Sequence, residues 1–351
     1  MTETSNALSI VCSHREGEQG GVYTFRSDAD GELEMVSRTP TGKPAYAAVH
    51  PDRSHVYTVD RVGGGRLSAF RVDRSSGDLT KLNERSSEGA GPAYVSVDAT
   101  GSYVFVANGS GETVAAFPIR EDGGIGPSSD TVRPGSRSEA STEGRTLHPH
   151  CIVPGPENRF VYAPDMKGER IWVYEVEFGD GTFVPADPPF VRVPDGTGPR
   201  HLAFHPSGRV GYVVNELGAS VTAFERDPDT GALSSVQTVG TLPGDYDGEN
   251  KCADVHVHPS GEWVYASNRG HDSIVAYSAD ADTGGLEVVG HESTRGHWPR
   301  DFAIDPEGRF LYVENMRSDA VETFRIDEAT GRLSQTDRRL EVVSPICMRF
   351  L

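Results

Sequence analysis

One recurring segment limits what this chain can fold into more than any other feature. The stretches GKPAYAAVHPDRSHVYTVD, GPAYVSVDATGSYVFVAN, HPHCIVPGPENRFVYAPD, GPRHLAFHPSGRVGYVVN, KCADVHVHPSGEWVYASN and WPRDFAIDPEGRFLYVEN share one order. Each runs through five or six strand-forming residues, a tight turn, and a Tyr-Val-x-Asn-like strand. The first motif residue falls at Pro44, Pro92, Pro149, Pro199, Cys252, Pro299 and Pro345, a period of about 50 residues. Within one repeat, HLAF, GYVVN, SVTAFER and LSSVQTV are four strand candidates rich in β-branched and aromatic residues. HPSG and DPDTG supply the turns between them. Four antiparallel strands per unit make a propeller blade.

The two ends complete the count. SPICMRFL matches only the first strand of a repeat, while LSIVCS, VYTFRSDA and LEMVSR match strands two, three and four. The expected architecture is therefore all-β: a seven-bladed β-propeller, one domain over residues 1–351, whose N- and C-terminal strands share the closing blade. That sharing removes an open sheet edge.

The formal net charge is −19, and only Lys43, Lys81, Lys167 and Lys251 of the 33 basic residues are lysines. Such a surface repels nucleic acid and anionic membranes, so neither is an expected partner. The acid-rich, lysine-poor composition resembles proteins of salt-accumulating halophiles, in which molar salt shortens the screening length to about 3 Å. No apolar run approaches a membrane span. The stretch MTETSNALSIVCSHRE lacks a basic segment followed by an apolar one, which leads to the expectation of a cytoplasmic protein. Cys12, Cys151, Cys252 and Cys347 have no CxxC spacing and are expected to be buried, reduced thiols.

In a repeat, residues shared by every copy serve structure, and residues polar in only some copies are candidates for function. The Asn or Asp closing the second strand (Asp60, Asn108, Asp165, Asn215, Asn268, Asn315) is of the shared kind. Its side chain is expected to satisfy backbone groups of the following turn. Two other columns are irregular. One reads Ala45, Ala93, His150, Arg200, Ala253, Arg300, Ile346; the other reads Arg61, Gly109, Met166, Glu216, Arg269, Met316, with His14 in the split blade. Both columns fall on one rim, where the innermost strands open on the central channel. The next residues along the first strand add His201, Asp254 and Asp301. Four arginines and two histidines around one opening suit an anionic ligand, since guanidinium forks match carboxylate and phosphate. Glu216 among them stays ionised and can accept a proton. His148, His150, His256 and His258 form two H-x-H pairs, but in nonadjacent repeats. Packed or hydrogen-bonded histidines are expected there, and no metal.

The whole chain resembles the seven-bladed propeller lactonase family, which contains the propeller-type 6-phosphogluconolactonases and the fungal carboxy-muconate lactonizing enzymes. HPHCIVPGPENRFVY, GPRHLAFHPSGRVGYVVNE, ADVHVHPSGEWVYASNRGHDSI and PRDFAIDPEGRFLYVENMRSDAVETFRID carry the likeness across four consecutive blades. The segment RPGSRSEASTEGRTLHPH is longer than the family pattern, and the last repeat reads VENM where a Val-Ala-Asn-Gln-like stretch is usual. The resemblance implies a cofactor-free site on the channel rim with His150, Arg200, Glu216 and Arg269 as catalytic residues. His14, Arg61, His201, Asp254, Arg300 and Asp301 are the expected substrate-binding residues around them. The implied reaction is metal-independent hydrolysis of a sugar-acid lactone, 6-phosphogluconolactone foremost, by a monomer or weak homo-oligomer. A lactonizing cycloisomerase acting on a muconate-like dicarboxylate and a noncatalytic scaffold propeller are the alternatives.

Overall fold

In the computed structural model, which describes residues 7–138, 142 and 144–351, the chain forms 28 strands in seven four-stranded antiparallel sheets. Each repeat supplies one sheet. Pro44–Val49, Pro92–Val97, Pro199–Phe204, Lys251–Val257 and Pro299–Ile304 are innermost strands of their blades, each starting at or one residue before the repeat motif. The repeat opening at Pro149 contributes only Val153–Pro154 as a strand, preceded by a lone bridge from Pro149 to Asp165. Pro345–Phe350 pairs with Ala7–Ser13, which pairs in turn with Gly21–Ser27 and Leu33–Thr39. The C-terminal strand thus provides the innermost position of the blade whose other three strands come from the N-terminus. Cys12 sits opposite Cys347 across that closure, and all four cysteines are buried and free. No helix among the described residues is long and apolar enough to cross a membrane.

The core lies between blades, because a sheet buried on both faces must be covered by its neighbours. The second strands bring the aromatic residue of the repeat into these layers: Tyr57, Phe105, Tyr162, Tyr212, Tyr265 and Tyr312 are essentially inaccessible. Burying each ring contributes roughly 2–3 kcal/mol. Several also fasten one blade to the next by a hydroxyl that donates to a turn carbonyl, as from Tyr265 to Gly331 (2.8 Å) and from Tyr57 to Gly123 (3.0 Å). Gly331 needs a positive φ of 65° and lies against the Trp263 ring, so the turn requires glycine on both counts.

Two histidines of the H-P-S-G turns are accounted for in the same way. His205 and His258 each contact a serine two residues on through Nδ1, and through Nε2 reach the turn carbonyls of Gly261 (3.1 Å) and Gly308 (2.8 Å) in the next blade. The shared Asn/Asp column departs in part from expectation. Asp60 and Asp165 do accept from the following turn, at Val62 N (2.7 Å) and Gly168 N (2.9 Å). Asn108, Asn268 and Asn315 instead donate backwards, to the carbonyls of Ser87, Thr241 and Thr294 in the segment that enters the blade. An amide can donate where a carboxylate only accepts, so the asparagines reach carbonyls of the entering segment, while Asp60 and Asp165 also accept from its N–H groups, at Lys43 and at His148 (2.6 Å).

The innermost strands share one irregularity that decides which side chains reach the channel. Their pairing with the second strand slips between Pro44 and Tyr46, Pro92 and Tyr94, Pro199 and His201, Cys252 and Val255, Pro299 and Asp301, and Cys347 and Pro345. The extra residues include Ala45, Ala93, Arg200, Ala253, Arg300 and Ile346, which is the irregular column read from the sequence. A bulge breaks the alternation of a strand and re-aims the residues around it. Arg200 and His201, consecutive in sequence, consequently meet on the same side instead of facing apart.

Candidate active site

Glu216 follows the strand Val210–Asn215, with its N–H bound to Gly198 O (2.7 Å) and its carbonyl accepting from Cys252 N (3.0 Å). Its carboxylate therefore stands between two blades. Oε2 lies 3.0 Å from Arg200 Nε on one side and 3.0 Å from Arg269 Nη2 on the other. The Arg200 contact is an ion pair whose Nε–H is not aligned as a hydrogen bond. Both arginines are further held by backbone: Arg200 Nη1 donates to Ala253 O, and Arg269 donates to Lys251 O (3.1 Å) and Cys252 O (2.6 Å). Burial pushes the Glu216 carboxyl up, but Arg200, Arg269 and Arg300 together hold it below the usual range, so it is ionised. Its side chain keeps 13% exposure, and both arginine contacts fall on Oε2.

Arg300 and Arg61 complete the ring in a different condition. Among the described residues neither has an acidic partner; Arg61 only donates Nε to Pro92 O at 3.3 Å. Burial, then the charges of Arg200, Arg269 and Arg61, pushes the half-buried Arg300 well down. Arg61 is lowered by burial and by Arg200. A half-buried guanidinium such as that of Arg300 is costly to leave without an anion, whereas Arg61 is exposed to solvent. His14 lies beside them, its Nδ1 3.2 Å from Pro44 O; burial, with Arg61, Lys43 and Arg300, lowers it to about 4.

His150 is buried and its Nδ1 has no hydrogen-bond partner. Burial and Arg200 hold it well below the ordinary histidine value, so it is a neutral imidazole. Its ring centroid is 5.8 Å from His148 and 5.1 Å from His201. The four residues expected to be catalytic thus converge, and His14, Arg61 and Arg300 join them.

His201, Asp254 and Asp301 correct the expectation of substrate contact. They are as buried as Arg200 and Arg269, but their side chains are taken up by one another or by deeper groups. His201 Nδ1 lies 2.7 Å from Asp254 Oδ1, Asp254 Oδ2 lies 3.1 Å from His256 Nε2, and Asp301 Oδ2 lies 3.0 Å from Arg349 Nη1. They form a layer beneath the arginine ring. Burial raises Asp301 to about 6, whereas His201 and His256 overcome burial to hold Asp254 well below the carboxylate range. Glu314, the glutamate of VENM, lies fully buried opposite Asp301 and is pushed well up by burial and by the Asp301 charge.

The sequence reading missed Arg349, the floor beneath Asp301, and Trp298, which lies between the guanidinium groups of Arg317 (3.6 Å from the ring centroid) and Arg269 (5.3 Å). A tryptophan next to the motif proline of a single repeat was the available signal. In the long segment before His150, Arg133 is taken by Glu112 (2.8 Å) and Arg137 by Asp130 (2.5 Å); residues 139–141 and 143 lie outside the described residues. A cleft of about 400 Å3 lined by Gln237, Ser278, Asp280 and Glu287 lies on an outer edge. Charge and unpartnered polar atoms mark out the channel mouth.

Comparison with known proteins agrees with this fold. The family described as "Lactonase, 7-bladed beta-propeller" matches residues 9–350. The chain belongs to the seven-bladed propeller lactonase family. A 6-phosphogluconolactonase of Bacillus subtilis (strain 168) within the similar proteins is 32% identical, over 98% of each chain. Among solved structures, a putative 6-phosphogluconolactonase of Bacteroides fragilis NCTC 9343 superposes with a TM-score of 0.91 at 30% identity, covering 100% of this chain and 99% of that one. The periplasmic gluconolactonase of Pseudomonas aeruginosa superposes equally well, at 31% identity over 98% and 99% of the two chains.

Proposed function

We propose that the protein is a lactonase that hydrolyses 6-phosphogluconolactone to 6-phosphogluconate at the channel rim. The observation that carries this reading is a charge imbalance: four arginines and one carboxylate at a single opening of a molecule with net charge −19. Family membership and the activities named for the relatives support the reaction class.

The arginines divide the work. Arg200 and Arg269, already neutralised in part by Glu216, face the reacting ester. Arg61 and Arg300, with His14 nearby, take the phosphate. Glu216 Oε1 orients a water, and His150, neutral at pH 7, takes its proton as the oxygen attacks the lactone carbonyl. Negative charge grows on the carbonyl oxygen, where Arg200 and Arg269 stabilise it. The ring C–O bond then breaks, and His150 returns the proton to the leaving alkoxide. The product carboxylic acid ionises in solvent. Lactones open readily on their own, so a modest acceleration suffices, and the scheme needs no metal or cofactor. A cytoplasmic monomer or weak homo-oligomer is the setting we assign.

The test is the rate of freshly generated 6-phosphogluconolactone hydrolysis by purified protein, corrected for the spontaneous rate. The reading predicts clear acceleration that is lost in E216Q and H150N. Wild-type protein that leaves the spontaneous rate unchanged, or that instead lactonizes a muconate, would overturn it.

A further inference from the structure

We propose that Asp254 and His201 form a positioning pair that holds Arg200 in its working orientation by presenting an imidazole lone pair to its guanidinium. This assigns the buried layer a task in the reaction and rests on the lactonase reading above.

The argument begins with hydrogen-bond inventory. Asp254 Oδ1, 2.7 Å from His201 Nδ1, is an acceptor, so Nδ1 carries the imidazole proton. Arg200 Nη1, 3.1 Å from His201 Nε2, can only donate. Only one neutral tautomer satisfies both neighbours, with Nδ1–H toward Asp254 and a bare Nε2 toward Arg200. Burial and the Arg200 charge also lower the ring to about 3, which keeps Nε2 unprotonated at neutral pH.

Each member of the chain is fixed from behind. Asp254 accepts from Val255 N (2.9 Å) and approaches His256 Nε2 (3.1 Å), while its own N–H donates to Ser267 Oγ (3.0 Å). The His201 ring is held edge-on by Tyr94 and Tyr46, with centroids 5.0 and 5.6 Å away. The bulge at Arg200 is what lets residue 201 reach back to the side chain of residue 200. Arg200 itself is crowded by like charge: the other rim arginines push it, and Glu216 shares one oxygen between it and Arg269. Without a lone pair at Nε2, Ala253 O would be the sole fixed hydrogen-bond acceptor for its guanidinium. A guanidinium free to swing toward Glu216 Oε1 or into solvent would no longer meet the developing oxyanion.

Three variants test this. His201→Leu removes the acceptor, and kcat is expected to fall about 10- to 100-fold, the worth of one hydrogen bond to a charged group. KM should change less than about threefold, because the phosphate arginines are untouched. His201→Gln places a carbonyl oxygen near the former Nε2 and should recover activity to within about fivefold of wild type. Asp254→Asn lets the ring put its proton on Nε2, facing Arg200, and should lose kcat like His201→Leu despite conserving shape. Melting curves establish that each variant is folded; if His201→Leu does not fold, Asp254→Asn against His201→Gln carries the comparison. A crystal structure of His201→Leu or Asp254→Asn reports Arg200 directly and needs no activity. Displacement of the guanidinium from Ala253 O is expected. An unmoved Arg200, or equal kcat in His201→Leu and His201→Gln, overturns the proposal. If wild-type protein has no lactonase activity, the functional reading fails, while the crystal arm still decides the positioning.

Discussion

Replacing Glu216 with glutamine removes the only carboxylate within ion-pair distance of Arg200 and Arg269 among the described residues. The side chain stays nearly isosteric, so the change is one of charge. Removing one partner of a buried pair costs about 3–5 kcal/mol. The remaining 13% exposure of Glu216 brings the expectation somewhat below that range, to about 2–3 kcal/mol. With 351 residues, the entropy of unfolding is about 0.7 kcal/mol/K near Tm, so Tm should fall by about 3–4 °C. The loss depends on pH in a defined direction. The folded Glu216 carboxyl is held below its ordinary value of 4.5, so its stabilisation is present above that pH and is lost as pH falls through the folded value. Wild type and E216Q should therefore melt further apart at pH 7 than at about pH 3.5. Inorganic phosphate should raise the Tm of E216Q more than that of wild type, because the variant pocket carries one more net positive charge. Lactone hydrolysis should fall by about 10²–10⁴, the usual worth of a positioned acid–base group. Differential scanning fluorimetry across pH and phosphate, with a pH-stat assay, reads all of this. An unchanged Tm together with a rate within about twofold of wild type would refute both the electrostatic and the catalytic reasoning.

Arg300→Gln should raise KM for 6-phosphogluconolactone about tenfold or more while leaving KM for the unphosphorylated lactone within about twofold; parallel changes in both would count against a phosphate role. His14 and His201 are lowered to about 4 and about 3, and His150 lies well below its ordinary value, so kcat/KM should show no histidine inflection between about pH 5.5 and 8. A wild-type inflection near 6.5 that vanishes in H150N would contradict the neutral-imidazole assignment. Burial opposes the charged form of His256, but Asp254 and Asp301 raise it to about 9; its contribution to stability is full below 6.5 and lost as pH rises through about 9. H256N should lack that alkaline loss in thermal melts. The net charge of −19 predicts a Tm that rises as KCl goes from about 0.1 to 2 M, and a flat salt response would remove the halophilic reading.

The blades and their closure were legible because a repeat states its own period, and because SPICMRFL lacks the three strands that LSIVCS onward supplies. The rim ring was legible for the converse reason: Arg200, Glu216, Arg269 and Arg300 break columns that are small or apolar elsewhere. What escaped is whatever depends on local register. Simple alternation sends Arg200 and His201 to opposite faces; the bulge that unites them has no residue signature apart from its recurrence in blade after blade. The depth of His201, Asp254 and Asp301 was hidden for the same reason, since sequence orders residues along a strand but does not say how far down the channel each one sits. Arg349 stands in the column of Ala48, Ser96, Ala203, His256 and Ala303, three positions further along the innermost strand than the rim column, and nothing in the sequence says that a residue there meets Asp301.

The most direct measurement of the central claim is a crystal structure with 6-phosphogluconate bound. Its carboxylate is expected between Glu216, His150 and Arg200, with the phosphate on Arg61 and Arg300. Density for the product on the outer surface, or an empty rim at saturating product with the arginines in place, would contradict the account.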